Sequence, residues 1–217
     1  MLRSLVSNQF GLRNREMKRI VRRFTDESGL VYFGHVSQRD DEHHIVRGFT
    51  VSLQHTDDHY CIGTYDDYDV IFVERRDVLR GGKPHSWHII EIDLLHARDV
   101  PHIFISSASR LPGFHELLET KYPMMLPHTL QHRNEYPAQF TDNFALHTVP
   151  ANSTEAESLF SPEITQVLAK HCKGLAIEVI GDNLYVYSER PVPSAKLLQT
   201  MLTNGVWLAR ELDKKYR

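Results

Sequence analysis

Cysteine is nearly absent: Cys61 and Cys172 are the only two in 217 residues, and no CxxC spacing joins them. A disulfide-stapled scaffold and a thiolate-rich zinc site are both disfavoured on that count, and two reduced structural thiols are expected. Long apolar runs are missing too. Spanning a bilayer takes roughly 18 to 20 apolar residues in a row, whereas the best run here, HIIEIDLLH, is broken by Glu91 and Asp93. The opening MLRSLVSNQFGLRNRE puts Ser7, Asn8, Gln9, Arg13 and Arg15 where a secretion signal needs an unbroken apolar segment. The expectation is a retained N-terminus and a cytoplasmic protein. No GxSxG elbow, GxxxxGK[ST] loop or GxGxxG turn occurs, so neither a serine nucleophile nor a phosphate cradle is recognisable, and no cofactor is expected.

What is present begins with an uneven distribution of charge. The formal total is only -3, no signature of a nucleic-acid binder. Residues 1–25 nevertheless carry seven basic groups against the single acid Glu16, and residues 26–77 carry twelve acids against four arginines. The two segments could simply attract each other. In REMKRIVRRF the apolar residues Met17, Ile20, Val21 and Phe24 recur at helical spacing, which predicts an amphipathic helix with Arg15, Lys18, Arg19, Arg22 and Arg23 as its basic binding face. Such a face suits an anionic membrane surface or an acidic protein partner. The plainer alternative is that the apolar side packs on the core and the cations are solvated.

From residue 29 the pattern turns to β. GLVYFGHV, HHIVRGFTVSLQ, HYCIGTY, YDVIFVERRDV, HSWHIIEIDL and HIFISSA are rich in β-branched and aromatic residues and separated by turn formers such as Asp66-Asp67 and Gly81-Gly82-Lys83-Pro84. They read as an antiparallel meander that fills residues 1–110 together with the first helix. Residues 111–139 hold Pro112, Pro123, Pro127 and Pro137, which leaves room for one short helix over 114–120 in a connecting segment. Residues 140–217 read as a strand-helix-hairpin-helix unit. Its signs are FALHTV, a helix opened by Ser161-Pro162 and closed before Gly174, a turn at Gly181-Asp182-Asn183, and a last helix capped by Ser194. The fold class is therefore α+β, an antiparallel sheet with helices mainly on one side.

LFSPEITQVLAKH followed by IEVIGDNLYVYSE, within residues 140–190, resembles the C-terminal part of a bacterial domain-of-unknown-function family that in some members accompanies membrane helices. The resemblance implies no activity, cofactor or catalytic residue. It favours a non-enzymatic role at or near a membrane.

Chemistry-bearing clusters are few. QHTDDHYC gathers His55, His59 and Cys61 as candidate metal ligands, but its strand-like flanks predict a hairpin turning at Asp57-Asp58, with the two histidines on opposite faces. No metal is therefore expected. His85 and His88 also fall on opposite faces of a strand, His43-His44 diverge, and His128 and His132 have helical spacing beside Pro127. Glu91 and Asp93 share one strand face, expected to be the solvent side. The favoured function is a non-catalytic interaction module at a membrane surface or in a protein assembly. The alternative is a hydrolase or metal-dependent enzyme whose His and Asp residues only the fold brings together.

Overall fold

The computed structural model describes residues 2–35, 56–78, 84–107 and 122–217, with side chains of the first helix from residue 13. The proposed strand HHIVRGFTVSLQ, the Gly81-Gly82-Lys83 turn, the short helix over 114–120, and His43, His44 and His55 lie outside the described residues.

Among the described residues nine strands form one antiparallel sheet in the order β1-β2-β3-β4-β9-β8-β5-β7-β6. They are β1 Val31–Gly34, β2 Thr56–Tyr65, β3 Tyr68–Val78, β4 Pro84–Asp93, β5 Val100–Ser107, β6 Leu126–Pro127, β7 Phe144–Thr148, β8 Ala176–Gly181 and β9 Asn183–Ser188. The described helices are α1 Leu2–Ser28, α2 Ala138–Thr141, α3 Ser153–Leu159, α4 Pro162–His171 and α5 Ala195–Lys214. The α+β class and the one-sided helices stand. The simple meander does not: the β8–β9 hairpin enters between β4 and β5, so the strands of the last third complete a sheet begun by the first.

Local chemistry explains the boundaries. α1 closes on Gly29, whose left-handed backbone (φ 78°) lets its N–H reach the Thr25 carbonyl at 2.8 Å. β2 and β3 join through Asp66-Asp67, both at positive φ as a tight hairpin loop requires. α5 starts at Ser194, whose hydroxyl accepts from the Leu197 N–H at 3.1 Å.

Every described helix sends its buried residues to the same side of the sheet. Met17, Val21 and Phe24 of α1, Leu168 of α4, and Leu198, Leu202 and Leu208 of α5 share a core with Phe72, Ile90, Ile177, Val179 and Val186. Gly205 sets how closely α5 approaches: a Cβ there would lie 2.6 Å from Ile92 Cδ1 and 3.1 Å from Val186 Cγ2. The opposite face carries a second cluster around Trp87, Phe104, Tyr185 and Tyr187.

Two expectations are corrected. Asp57 and Asp58 are not a turn but lie inside β2, where Asp57 pairs with Arg75 of β3, through two bonds of 2.7 Å in a buried setting. Cross-strand charge pairing, invisible to a local pattern, overrides the turn preference of adjacent aspartates. Glu91 is likewise not on a solvent face; it is buried and accepts a hydrogen bond from the Tyr185 hydroxyl at 3.3 Å.

Candidate functional site

Helical spacing puts Arg15, Lys18, Arg19, Arg22 and Arg23 within roughly 140° of arc on α1, and all five are exposed. Their helix is held from behind, because Met17, Val21 and Phe24 are almost wholly buried. The described part of the acidic segment that follows does not neutralise this face. Among the described residues its only ion pair joins Arg23 to Glu27 at 2.8 Å, and the side chains of Arg15, Lys18, Arg19 and Arg22 make no ion pair or hydrogen bond. The structure thus brings together all five sequence-predicted basic residues as one solvated stripe.

One arginine of the helix behaves differently. Arg13 lies in line with Met17, Ile20 and Phe24, so it turns inward. Its Nη2 donates to Glu74 Oε1 at 3.3 Å, to Ser86 Oγ at 2.9 Å and to the Pro191 carbonyl at 3.0 Å. Glu74 is fully buried and meets Arg76 at 3.6 Å on the same oxygen, while its other oxygen stands 3.6 Å from His59 Nε2. A bulge in β2 aims that histidine. The register skips between Asp58 and Cys61, and His59 takes a left-handed backbone, φ 58°, unusual outside glycine. Its Nδ1 faces the Tyr32 hydroxyl at 3.0 Å. His88, from the neighbouring position on β4, is also fully buried. Asp58 closes the cluster outward, against His35 at 3.0 Å and Arg76 at 3.4 Å.

The electrostatics follow from burial. Desolvation pulls His59 below the usual histidine range, partly offset by Glu74 and Asp58, and drives His88 down to about 3, with Arg13 and His59 pushing the same way. Both rings are therefore neutral near pH 7. Among the described residues, His59 Nε2, Glu74 Oε2 and Arg76 Nε have no hydrogen bond of good geometry, and the His88 ring meets only the Ser188 backbone at the margin of one. Such concentrated dissatisfaction marks stored cost rather than optimal packing. The Tyr32–His59–Glu74 line resembles a relay, yet burial raises the Tyr32 phenol and so keeps it protonated, the opposite of an activated nucleophile. The arrangement fastens a helix instead.

Sequence reasoning missed Arg13, Tyr32, Glu74 and His88. Only Arg13 carried a signal, a cation in the apolar register of an amphipathic helix. Of the candidate metal ligands, His55 lies outside the described residues, and the other two are engaged elsewhere. His59 faces Tyr32 and Glu74, the Cys61 thiol is directed at the His59 carbonyl at 3.3 Å, and burial pushes that thiol up to about 12. Among the described residues no three His, Cys, Asp or Glu side chains are arranged so that they could hold a metal ion.

Two other polar groupings stand apart. On the opposite face Glu178 accepts from the Tyr187 hydroxyl and lies 2.7 Å from His102 Nε2, one strand over from the Glu91–Tyr185 contact. Near α3 an open recess of about 280 Å³ is lined by Gln131, His132, Tyr136, Glu157 and Ser161. Burial works against the Glu157 charge, but His128 at 2.7 Å and the Gln131 N–H hold its carboxyl below the usual range. Those bonds occupy the acid in fixing a loop.

No family model and no curated protein matches the chain. Among solved structures it is similar in fold to the crystal structure of the mycobacterial trehalose monomycolate transport factor A, with a TM-score of 0.60 over 94% of this chain and 96% of that one, at 10% identity. No described helix is long and apolar enough to cross a membrane.

Proposed function

We propose that the protein is a non-catalytic interaction module that docks on an anionic membrane surface through the outer face of α1. The observation that carries this reading is the row Arg15, Lys18, Arg19, Arg22 and Arg23, solvated side by side on a helix that is itself anchored to the core. Each Lys or Arg near an anionic leaflet contributes about 1 kcal/mol, so five together support a weak, salt-sensitive attachment. The apolar face is already engaged, and the contact at neutral pH is electrostatic without insertion. A fold neighbour named as a transport factor agrees with a role of this class, as does the resemblance of residues 140–190 to a family that accompanies membrane helices. The location that follows is peripheral, at the inner surface of the cytoplasmic membrane.

The experiment is co-sedimentation with vesicles of phosphatidylcholine alone or mixed with phosphatidylglycerol, at low and high salt. Binding should require the anionic lipid, weaken with salt, and disappear when Arg15, Lys18, Arg19, Arg22 and Arg23 are replaced with Gln. Binding that ignores lipid charge or survives the five replacements refutes the membrane reading. A purified chain that instead binds acidic peptides but not vesicles shifts the partner to protein.

A further inference from the structure

The inward side of α1 invites a question separate from its outward one. A cation, a buried carboxylate and two buried histidines meet where the helix rests on the sheet, and the same contact includes a bulge and several polar atoms without good partners. Satisfied cores do not look like this; interfaces with two states do.

We propose that the Arg13–Glu74–His59–His88 cluster is a proton-sensitive latch that holds α1 on the sheet near neutral pH and releases it on mild acidification. What the freed apolar face then meets rests on the membrane reading above; the latch itself does not.

The groups facing His59 come from every element around it. Tyr32 belongs to β1 and His35 follows its end, Arg13 and Lys18 belong to α1, Asp58 to the same strand as His59, Glu74 and Arg76 to β3, and His88 to β4. With neutral histidines, Glu74 serves Arg13 and Arg76 as their shared anion, Asp58 assists Arg76, and in the tautomer that leaves His59 Nδ1 bare Tyr32 donates to it. Once His59 is protonated, both its ring nitrogens become donors. Tyr32 must then turn from donor to acceptor, and His59 competes with Arg13 for the one carboxylate. A charged His88 adds a further cation beside Arg13, eased only in part by its bond to the Ser188 backbone. Undocking Arg13 removes the crowding and returns both rings to water.

The sign follows from linkage. The docked form binds fewer protons than the open form because burial lowers both histidines. Docking is therefore fully favoured above the free histidine value of about 6.5, and weakens as pH falls below it. For a ring whose docked value lies far lower, one pH unit below 6.5 multiplies the open population by about ten. His88 meets that condition and His59 adds to it, so the expected rise near pH 5.5 lies between roughly tenfold and a hundredfold.

Hydrogen–deuterium exchange of the full chain, without lipid, reads the latch directly. Between about pH 7.5 and pH 5.5, and after correction for intrinsic rates, amides of residues 13–28 should lose protection by at least about tenfold, while those of β4 and β9 keep theirs. The double variant His59→Asn, His88→Gln should hold α1 equally at both pH values, since Asn tolerates the left-handed backbone and neither replacement titrates. Arg13→Gln, on the helix and outside the sheet, should loosen α1 already at the higher pH. Protection of α1 that ignores pH, loss of α1 and sheet together, or an Arg13→Gln chain that exchanges like its parent overturns the proposal. Because release is measured without vesicles, it stands or falls apart from the binding experiment at neutral pH.

Discussion

Replacing Asp213 with Asn should cost about 2–5 kcal/mol at neutral pH, although the change keeps size and shape. Asp213 sits in the last turns of α5, where the helix dipole disfavours an acid. It is nevertheless buried, and it organises the segment that follows β4: Oδ1 accepts from the His96 and Ala97 N–H groups at 2.7 and 2.8 Å, and Oδ2 from the Leu95 N–H at 3.1 Å and the Tyr68 hydroxyl at 2.9 Å. Burial opposes its charge, but the three backbone donors and Tyr68 outweigh it and hold the carboxyl below its ordinary value. In the Asn variant one oxygen remains for two of the donors. The amide nitrogen then confronts the Leu95 N–H, while Tyr68 can turn to accept. The net change is one unsatisfied donor at about 1–3 kcal/mol and two charge-assisted bonds reduced to neutral ones at about 0.5–1 kcal/mol each. For a chain of this size that is a fall in Tm of roughly 4–20 °C. A depressed carboxyl contributes stability above its unfolded value of about 3.9 and loses it as pH falls through the folded value, so the gap between parent and variant should narrow below about pH 4. Urea unfolding followed by circular dichroism from neutral to acid pH measures both. Equal midpoints at pH 7, or a gap that persists unchanged in acid, refute the reasoning.

Two shorter tests follow from the core. Gly205→Ala improves helix propensity by about 1 kcal/mol, yet the added methyl meets Ile92 at 2.6 Å and Val186 at 3.1 Å, both buried. Overpacking of about 1–3 kcal/mol should therefore win, and a variant with a higher urea midpoint than its parent would show that α5 can shift outward. Burial pushes the Cys61 and Cys172 thiols up to about 12. Neither should react with iodoacetamide at neutral pH until the chain unfolds, and rapid alkylation of either in the native state would contradict its position.

What the sequence made legible was whatever short-range patterns encode. The apolar register of α1, the Ser161-Pro162 start, the Gly181 turn and the Ser194 cap appear where local chemistry puts them. The exposed basic stripe was legible for the same reason, since helical spacing alone separates it from Met17 and Phe24. The errors share another cause. Adjacent aspartates favour a turn until Arg75, eighteen positions on, offers Asp57 two bonds. Glu91 looks solvent-facing until Tyr185 arrives from the far end of the chain. The bulge that turns His59 toward Glu74 depends on pairing between β2 and β3 and leaves no periodic trace. Its cluster of buried polar groups is a property of register.

The insertion of β8 and β9 between β4 and β5 also dictates an order of assembly. Strands β1 to β4 can pair as they leave the ribosome, since each neighbours its predecessor. β4 then waits with one edge unpaired, and β5 cannot join it, until a hairpin encoded near the end of the chain arrives to bridge them. Pairings of such long sequence separation carry a large loop-closure cost and make folding slow. In that interval the open edge of β4, with Ile89, Ile90 and Ile92, is a template for strands of other chains. The fold is thus locked from its C-terminal side. Nascent chains of this protein should depend on chaperone cover until the last hairpin and α5 are free to close the gap.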